Sequence, residues 1–91
     1  MPAAHRLGDI CSGHGVCPPR PTIAGSENVM INMLNAQRIG DPYDPHCAHD
    51  SQCAQGSPDV MINNIGAVRF GDAVSCGGVA NMASENVFIN G

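Results

Sequence analysis

The sequence predicts an all-β domain built from three copies of one β-hairpin repeat, closed into a short pseudo-threefold body. Two observations carry that expectation. Residues 25–41 and 56–72 are the same 17-residue unit without a gap, with more than half of their positions identical. The third copy is divided between the ends of the chain: Val87 to Gly91 supplies its first half and Pro2 to Asp9 its second. Together these make 13 residues, the same number that runs from Val29 to Asp41 and from Val60 to Asp72. Joined in this way, Arg6 falls on Arg38 and Arg69, and Asp9 on Asp41 and Asp72. A chain whose ends complete one repeat is expected to close on itself with its termini adjacent. The reading is therefore one domain over 1–91, with repeat units 25–41, 56–72 and 84–91 joined to 2–9.

Each unit carries the marks of a hairpin. Val-Met-Ile-Asn is short and β-prone, and its alternate residues Val29 and Ile31 are expected to share one face. Met33-Leu34-Asn35 and Asn64-Ile65-Gly66 are of turn length, with Asn or Gly available for positive φ. Ala36 to Ile39 and Ala67 to Phe70 are expected to return as the second strands. The Gly-Asp that follows is a second turn signal, in which the carboxylate of Asp9, Asp41 or Asp72 can accept from nearby backbone N–H groups. One arginine per hairpin, at Arg6, Arg38 and Arg69, reads as a repeated structural contact rather than as catalytic machinery. No stretch shows a 3.6-residue apolar period, so helices should be few and short.

Composition agrees. Of the 91 residues, 13% are charged and only three are aromatic, with no Trp, while 11 Gly and 7 Pro punctuate the chain. That balance excludes a helical bundle and an aromatic-rich core. An apolar content of 43% with a net charge of −4 can still support a core, so the chain is not of disordered composition. Four basic residues exclude an electrostatic nucleic-acid binder. The apolar runs are too short to span a membrane. The opening Met-Pro-Ala-Ala-His lacks the basic-then-apolar pattern of a classical leader.

The spacers between units carry the chemistry. Counted from the aspartate that ends each unit, His14 and His46 both stand at +5 and Cys76 at +4. Threefold closure would bring these three metal-competent side chains together near the axis. Imidazole nitrogen and thiolate sulfur suit zinc in a tetrahedral site, which needs a fourth donor. His49, three residues after His46, is the favoured fourth ligand, with Cys53 and then Cys17 behind it. The expected cofactor is thus a structural Zn2+ near the apex, held by His14, His46, His49 and Cys76. An ion closed on all sides by protein would contribute about 10 kcal/mol or more to a small fold. Disulfide pairing among Cys11, Cys17, Cys47, Cys53 and Cys76 is the competing structural reading; the odd count and the missing leader favour reduced cysteines. His5 aligns with Gln37 and Val68 inside a strand and reads as a structural histidine. Pro18-Pro19-Arg20-Pro21 reads as a rigid loop rather than a polyproline ligand. Paired carboxylates, a Gly-rich phosphate loop and a Ser-His-Asp set are all missing at useful spacing, so the chain is not read as an enzyme.

With these residues in place, the chain resembles the PAAR-repeat proteins that form the sharp tip of contractile injection machines. The resemblance rests on Pro2-Ala3-Ala4-His5-Arg6-Leu7-Gly8-Asp9, on Gly13-His14-Gly15 followed by Pro18-Pro19-Arg20-Pro21, on both Gly-Ser-x-x-Val-x-Ile-Asn units, and on Ser75-Cys76-Gly77. His5 interrupts the name-giving tetrapeptide. The resemblance implies a short cone of three hairpins whose zinc, near the point, is held by three His and one Cys, carried over to His14, His46, His49 and Cys76. It implies that the broad base caps a homotrimeric β-helical spike, one tip chain per trimer, covering strand edges that would otherwise invite aggregation. The tapering end would meet the target envelope first, in a phage tail or a type VI secretion apparatus, with the chain in the virion at the tail tip or baseplate, or in the bacterial cytoplasm and then secreted with the spike. No residues are left over for an appended toxin, so the expectation is a bare tip. The alternatives from other classes are a secreted binding module stabilised by disulfides or zinc and, further away, a zinc hydrolase.

Overall fold

The computed structural model describes residues 2–13, 17–46 and 49–90, without the side chains of His46 and His49. Asn32 and Met33, and at the matching place Asn63 and Asn64, stand at φ of 53°, 68°, 54° and 65°. Two consecutive residues at positive φ form the tight turn whose twist suits an antiparallel hairpin, and Asn enters that region at little cost. Strand β1 (Met30–Ile31) accordingly pairs with β2 (Leu34–Asn35), and β5 (Met61–Ile62) with β6 (Ile65–Gly66). Between them in the chain, β3 (Pro42–His46) pairs with β4 (His49–Gln52), with a register shift between Tyr43 and His46. The described residues thus form an all-β domain of three small antiparallel two-stranded sheets, with principal extents of 32, 24 and 22 Å.

Two expectations about the hairpins need correction. The turns fall at Asn32–Met33 and Asn63–Asn64, starting one residue before the segments expected to make them and ending inside them, because consecutive left-handed residues close the loop in two steps. The return strands are correspondingly Leu34–Asn35 and Ile65–Gly66 rather than 36–39 and 67–70. Ala36 and Ala67 still donate to Val29 and Val60 of their own units (both 3.0 Å), and from there the chain changes partner.

That change of partner holds the domain together. Arg6 bridges to Ala36, Arg38 to Ala67, and Ala4 to Arg69. Between these bridges the His5 N–H donates to the Val68 carbonyl (3.1 Å), Val68 to Gln37 (3.0 Å) and Gln37 back to His5 (3.2 Å), a closed ring of backbone hydrogen bonds. The segments near the two ends meet as the sequence predicts: Ala3 bridges to Phe88, Ala4 N–H donates to Val87 (2.9 Å) and Ile89 N–H to Pro2 (2.8 Å). The spacers close a further ring through Thr22 with Tyr43, Cys53 with Val74, and Cys11 with Ala80.

Each ring encloses apolar side chains. In the hairpin layer Ala4, Ala36 and Ala67 are wholly buried beside Ile31, Ile62 and Ile89, with Val29, Val60 and Val87 packed against them. Val29 and Ile31 therefore share a face, as their alternation requires. The upper layer contains Cys11, Tyr43, Cys53, Val68, Val74 and Ala80, with Cys76 against its side.

Candidate docking face and the predicted metal residues

The repeated arginines and aspartates are structural, as their sequence context suggests. In each copy the Asp N–H donates to the Arg carbonyl three residues earlier (2.9, 3.0 and 3.0 Å), and the intervening glycine takes a positive φ of 89°, 96° or 89°. Asp9, Asp41 and Asp72 each accept from the arginine backbone N–H at 2.8 Å. Each carboxylate also receives two side-chain bonds from the same arginine, at 2.8–3.0 Å. This two-pronged pairing raises the proton affinity of all three guanidiniums.

A second repeated contact was not anticipated. Ser26, Ser57 and Ser84 cap their strands by accepting from Val29, Val60 and Val87 N–H groups at 3.0, 2.9 and 2.9 Å. Each hydroxyl then donates across to the next unit: Ser26 to Asn63 Oδ1, Ser57 to the Asn90 carbonyl and Ser84 to Asn32 Oδ1. Arg6 and Arg38 reach the same amide oxygens, of Asn32 and Asn63, at 3.2 and 3.1 Å. The signal was available, since a serine precedes Val by three residues in every copy.

Alternation along the strands leaves the opposite residue outside. Met30, Met61 and Phe88 occupy the same place in the three copies and are 53%, 52% and 52% exposed. Ile39 and Phe70, at the second position of the Arg-x-Gly-Asp turns, are also exposed, and Met33 at a hairpin turn is 91% exposed. Among the described residues, eight of the eleven exposed large hydrophobic side chains lie in the repeat units; Ile23, Val79 and Met82 are the other three. Exposed large apolar side chains are thus concentrated in the repeat units rather than in the spacers.

The interior of the upper layer is sealed rather than reactive. Tyr43 is 1% exposed, and burial raises the proton affinity of its hydroxyl. Burial likewise pushes the Cys53 thiol up to about 12, so at neutral pH it is a protonated thiol hydrogen-bonded to Tyr43. His5 completes this network, and burial lowers its proton affinity.

The expected zinc centre does not survive this inventory. Among the described residues no group of three or more His, Cys, Asp and Glu side chains is placed to hold a metal ion. The structural Zn2+ predicted near the apex is therefore withdrawn. The physical reason lies in how the described donors are spent. The three aspartates at the turns are clamped by arginine. Cys53 is protonated, Cys11 is buried and accepts from the Arg20 N–H, and Cys17 is disulfide-bonded. Of the four predicted ligands, Cys76 is a half-buried free thiol beside the upper core. His14 lies outside the described residues, as do the side chains of His46 and His49, whose backbones pair across β3 and β4. The disulfide at Cys17 also departs from the expectation of reduced cysteines, whereas Cys11, Cys53 and Cys76 are free thiols.

With the geometry in hand, comparison with known proteins gives one positive finding. The family model described as the PAAR motif matches residues 19–82, which is more than half of the chain. No curated protein matches the chain significantly.

Proposed function

Because the chain belongs to the PAAR-motif family, whose domains are structural rather than catalytic, we propose that it is the tip that caps a homotrimeric β-helical spike in a contractile injection system. The observation that carries this reading is the trio Met30, Met61 and Phe88, apolar, equally exposed and repeated once per unit. A trimer presents three equivalent surfaces at its end. A single chain can meet all three only if it repeats its own surface three times, and the rings linking His5, Gln37 and Val68 and linking the three serines to the next unit are what such a body requires. In this reading the molecule is one pseudo-threefold domain. The hairpin layer forms the base, and the opposite end, built from the spacers, forms the point. One chain sits on each trimer and works mechanically, riding with the spike of a phage tail or a type VI secretion apparatus into the target envelope.

The test is assembly. The purified chain is mixed with a trimeric β-helical spike protein and the mass of the complex is measured by light scattering. One chain per trimer is expected, with binding lost when Met30→Glu and Met61→Glu are combined in a chain that remains folded. A folded chain that stays apart from the spike, or a complex indifferent to both substitutions, would overturn the proposal.

A further inference from the structure

His5 is the ionisable member of a ring whose other two places are held by Gln37 and Val68, and all three are buried. Its Nδ1 lies 2.7 Å from the Met82 carbonyl oxygen and its Nε2 2.7 Å from the Tyr43 hydroxyl. A carbonyl can only accept, so Nδ1 carries the proton, and the neutral ring accepts the Tyr43 O–H at Nε2. Both nitrogens are thus committed, and the ring ties together three parts of the molecule. These are the N-terminal segment of the hairpin layer, the link that precedes the last half-repeat, and β3 of the upper layer. We propose that His5 is an acid-sensitive latch between the two layers, closed while its imidazole is neutral and released when the imidazole is protonated.

A second proton would enter at Nε2, where the Tyr43 hydroxyl already points its hydrogen. The hydroxyl would have to turn away, leaving a cation without water around it. The Met82 carbonyl and the more distant carboxylates of Asp9 and Asp72 favour that cation, while Arg6 opposes it. Arg6 and Asp9 are already paired with one another, as is Asp72 with Arg69. Tyr43 and, behind it, Cys53 are uncharged at neutral pH. Burial outweighs the favourable groups and holds the ring below the ordinary histidine value of 6.5. The unfolded chain therefore takes up a proton that the folded chain refuses. The stability that His5 contributes is complete above pH 6.5 and drains away as the pH falls toward the folded value.

The experiment compares thermal unfolding of the full chain and of His5→Gln from pH 7.5 to pH 5. Glutamine is the residue the repeat itself uses at position 37, and its amide can donate and accept but not titrate. The unfolding midpoint of the natural chain should fall by roughly 5–10 °C more than that of the variant for each tenfold difference in proton affinity between unfolded and folded ring. Parallel profiles for a folded variant would overturn the latch. If His5→Gln does not fold, the proton titration of the His5 ring in the natural chain, followed by NMR, decides. A ring that stays neutral well below pH 6.5 supports the proposal, and one that titrates near 6.5 while the fold persists removes it.

Discussion

In the hairpin layer the three copies use the same residues in the core: alanine at 4, 36 and 67, isoleucine at 31, 62 and 89. In the upper layer the equivalent places, two residues beyond each turn aspartate, hold Cys11, Tyr43 and Val74, all buried. The residues whose N–H groups return to those aspartate carbonyls are Thr22, Cys53 and Ala80. The two layers share a backbone scheme and differ in how its interior is filled. Where three copies of one residue pack against one another, equivalent surroundings call for the same side chain. Where different residues meet, only the summed volume has to be right, and one tyrosine can stand against a cysteine and a valine. Repetition is thus the rule of the hairpin layer, and the upper layer is free to acquire polar contacts such as His5 with Tyr43.

The contrast can be broken most directly at Tyr43. Tyr43→Ala removes the one large side chain of the upper core and should cost about 3–5 kcal/mol in urea unfolding. A loss below about 1 kcal/mol would mean that the layer does not depend on a single filler. Ile31→Ala and Ile62→Ala test the opposite property. Each should cost about 2–5 kcal/mol, and the two values should agree closely because the residues are 8% and 7% exposed in equivalent surroundings. A wide gap between them would refute equivalence of the copies. The arginine clamps sharpen the comparison further, since their side chains are 8% exposed at Arg69 but 20% at Arg38. Arg69→Met should cost about 3 kcal/mol, as for a buried pair left half empty, and Arg38→Met roughly 1–2 kcal/mol. The reverse order would show that burial does not govern the clamps. The smallest effect is expected at Met33, held at a φ of 68° where the second unit has Asn64. Met33→Asn should raise stability by up to about 1 kcal/mol, seen as a small rise in the unfolding midpoint.

The hairpin layer was legible in the sequence because its constraint is written three times. The shared face of Val29 and Ile31 and the turn role of Asp9, Asp41 and Asp72 both follow from comparing copies. The upper layer was not legible in the same way. Nothing in the spacing singles out Tyr43 as the core residue of a spacer, or shows that His5 would find it across 38 positions of chain. The hairpin of β3 and β4 carries a proline at its start and another at position 45, residues that argue against a strand unless its edge is free. The near-equal offsets of His14, His46 and Cys76 invite a metal, but offset along the chain does not say which donors are already engaged. Cys53 and Cys17 were weighed as ligands by spacing, whereas burial against Tyr43 and a disulfide had settled their chemistry. The serine contacts were within reach of the repeat alignment and were passed over because a hydroxyl beside glycine reads as ordinary turn composition.

The pairing of Ala3 and Ala4 with Val87 and Phe88 also bears on how the chain is made. Residues 2–9 are synthesised before the other repeat units, yet the strand that completes their hairpin comes more than 75 residues later. At ordinary rates of synthesis they wait on the order of ten seconds. During that time units 25–41 and 56–72 can fold their own turns, while the rings that join all three remain open. Closure must be a late, concerted step governed by contacts between distant parts of the chain, which makes folding slow relative to local hairpin formation. The pairing of residues 2–4 with 87–89 is thus the part of the hairpin layer that forms last.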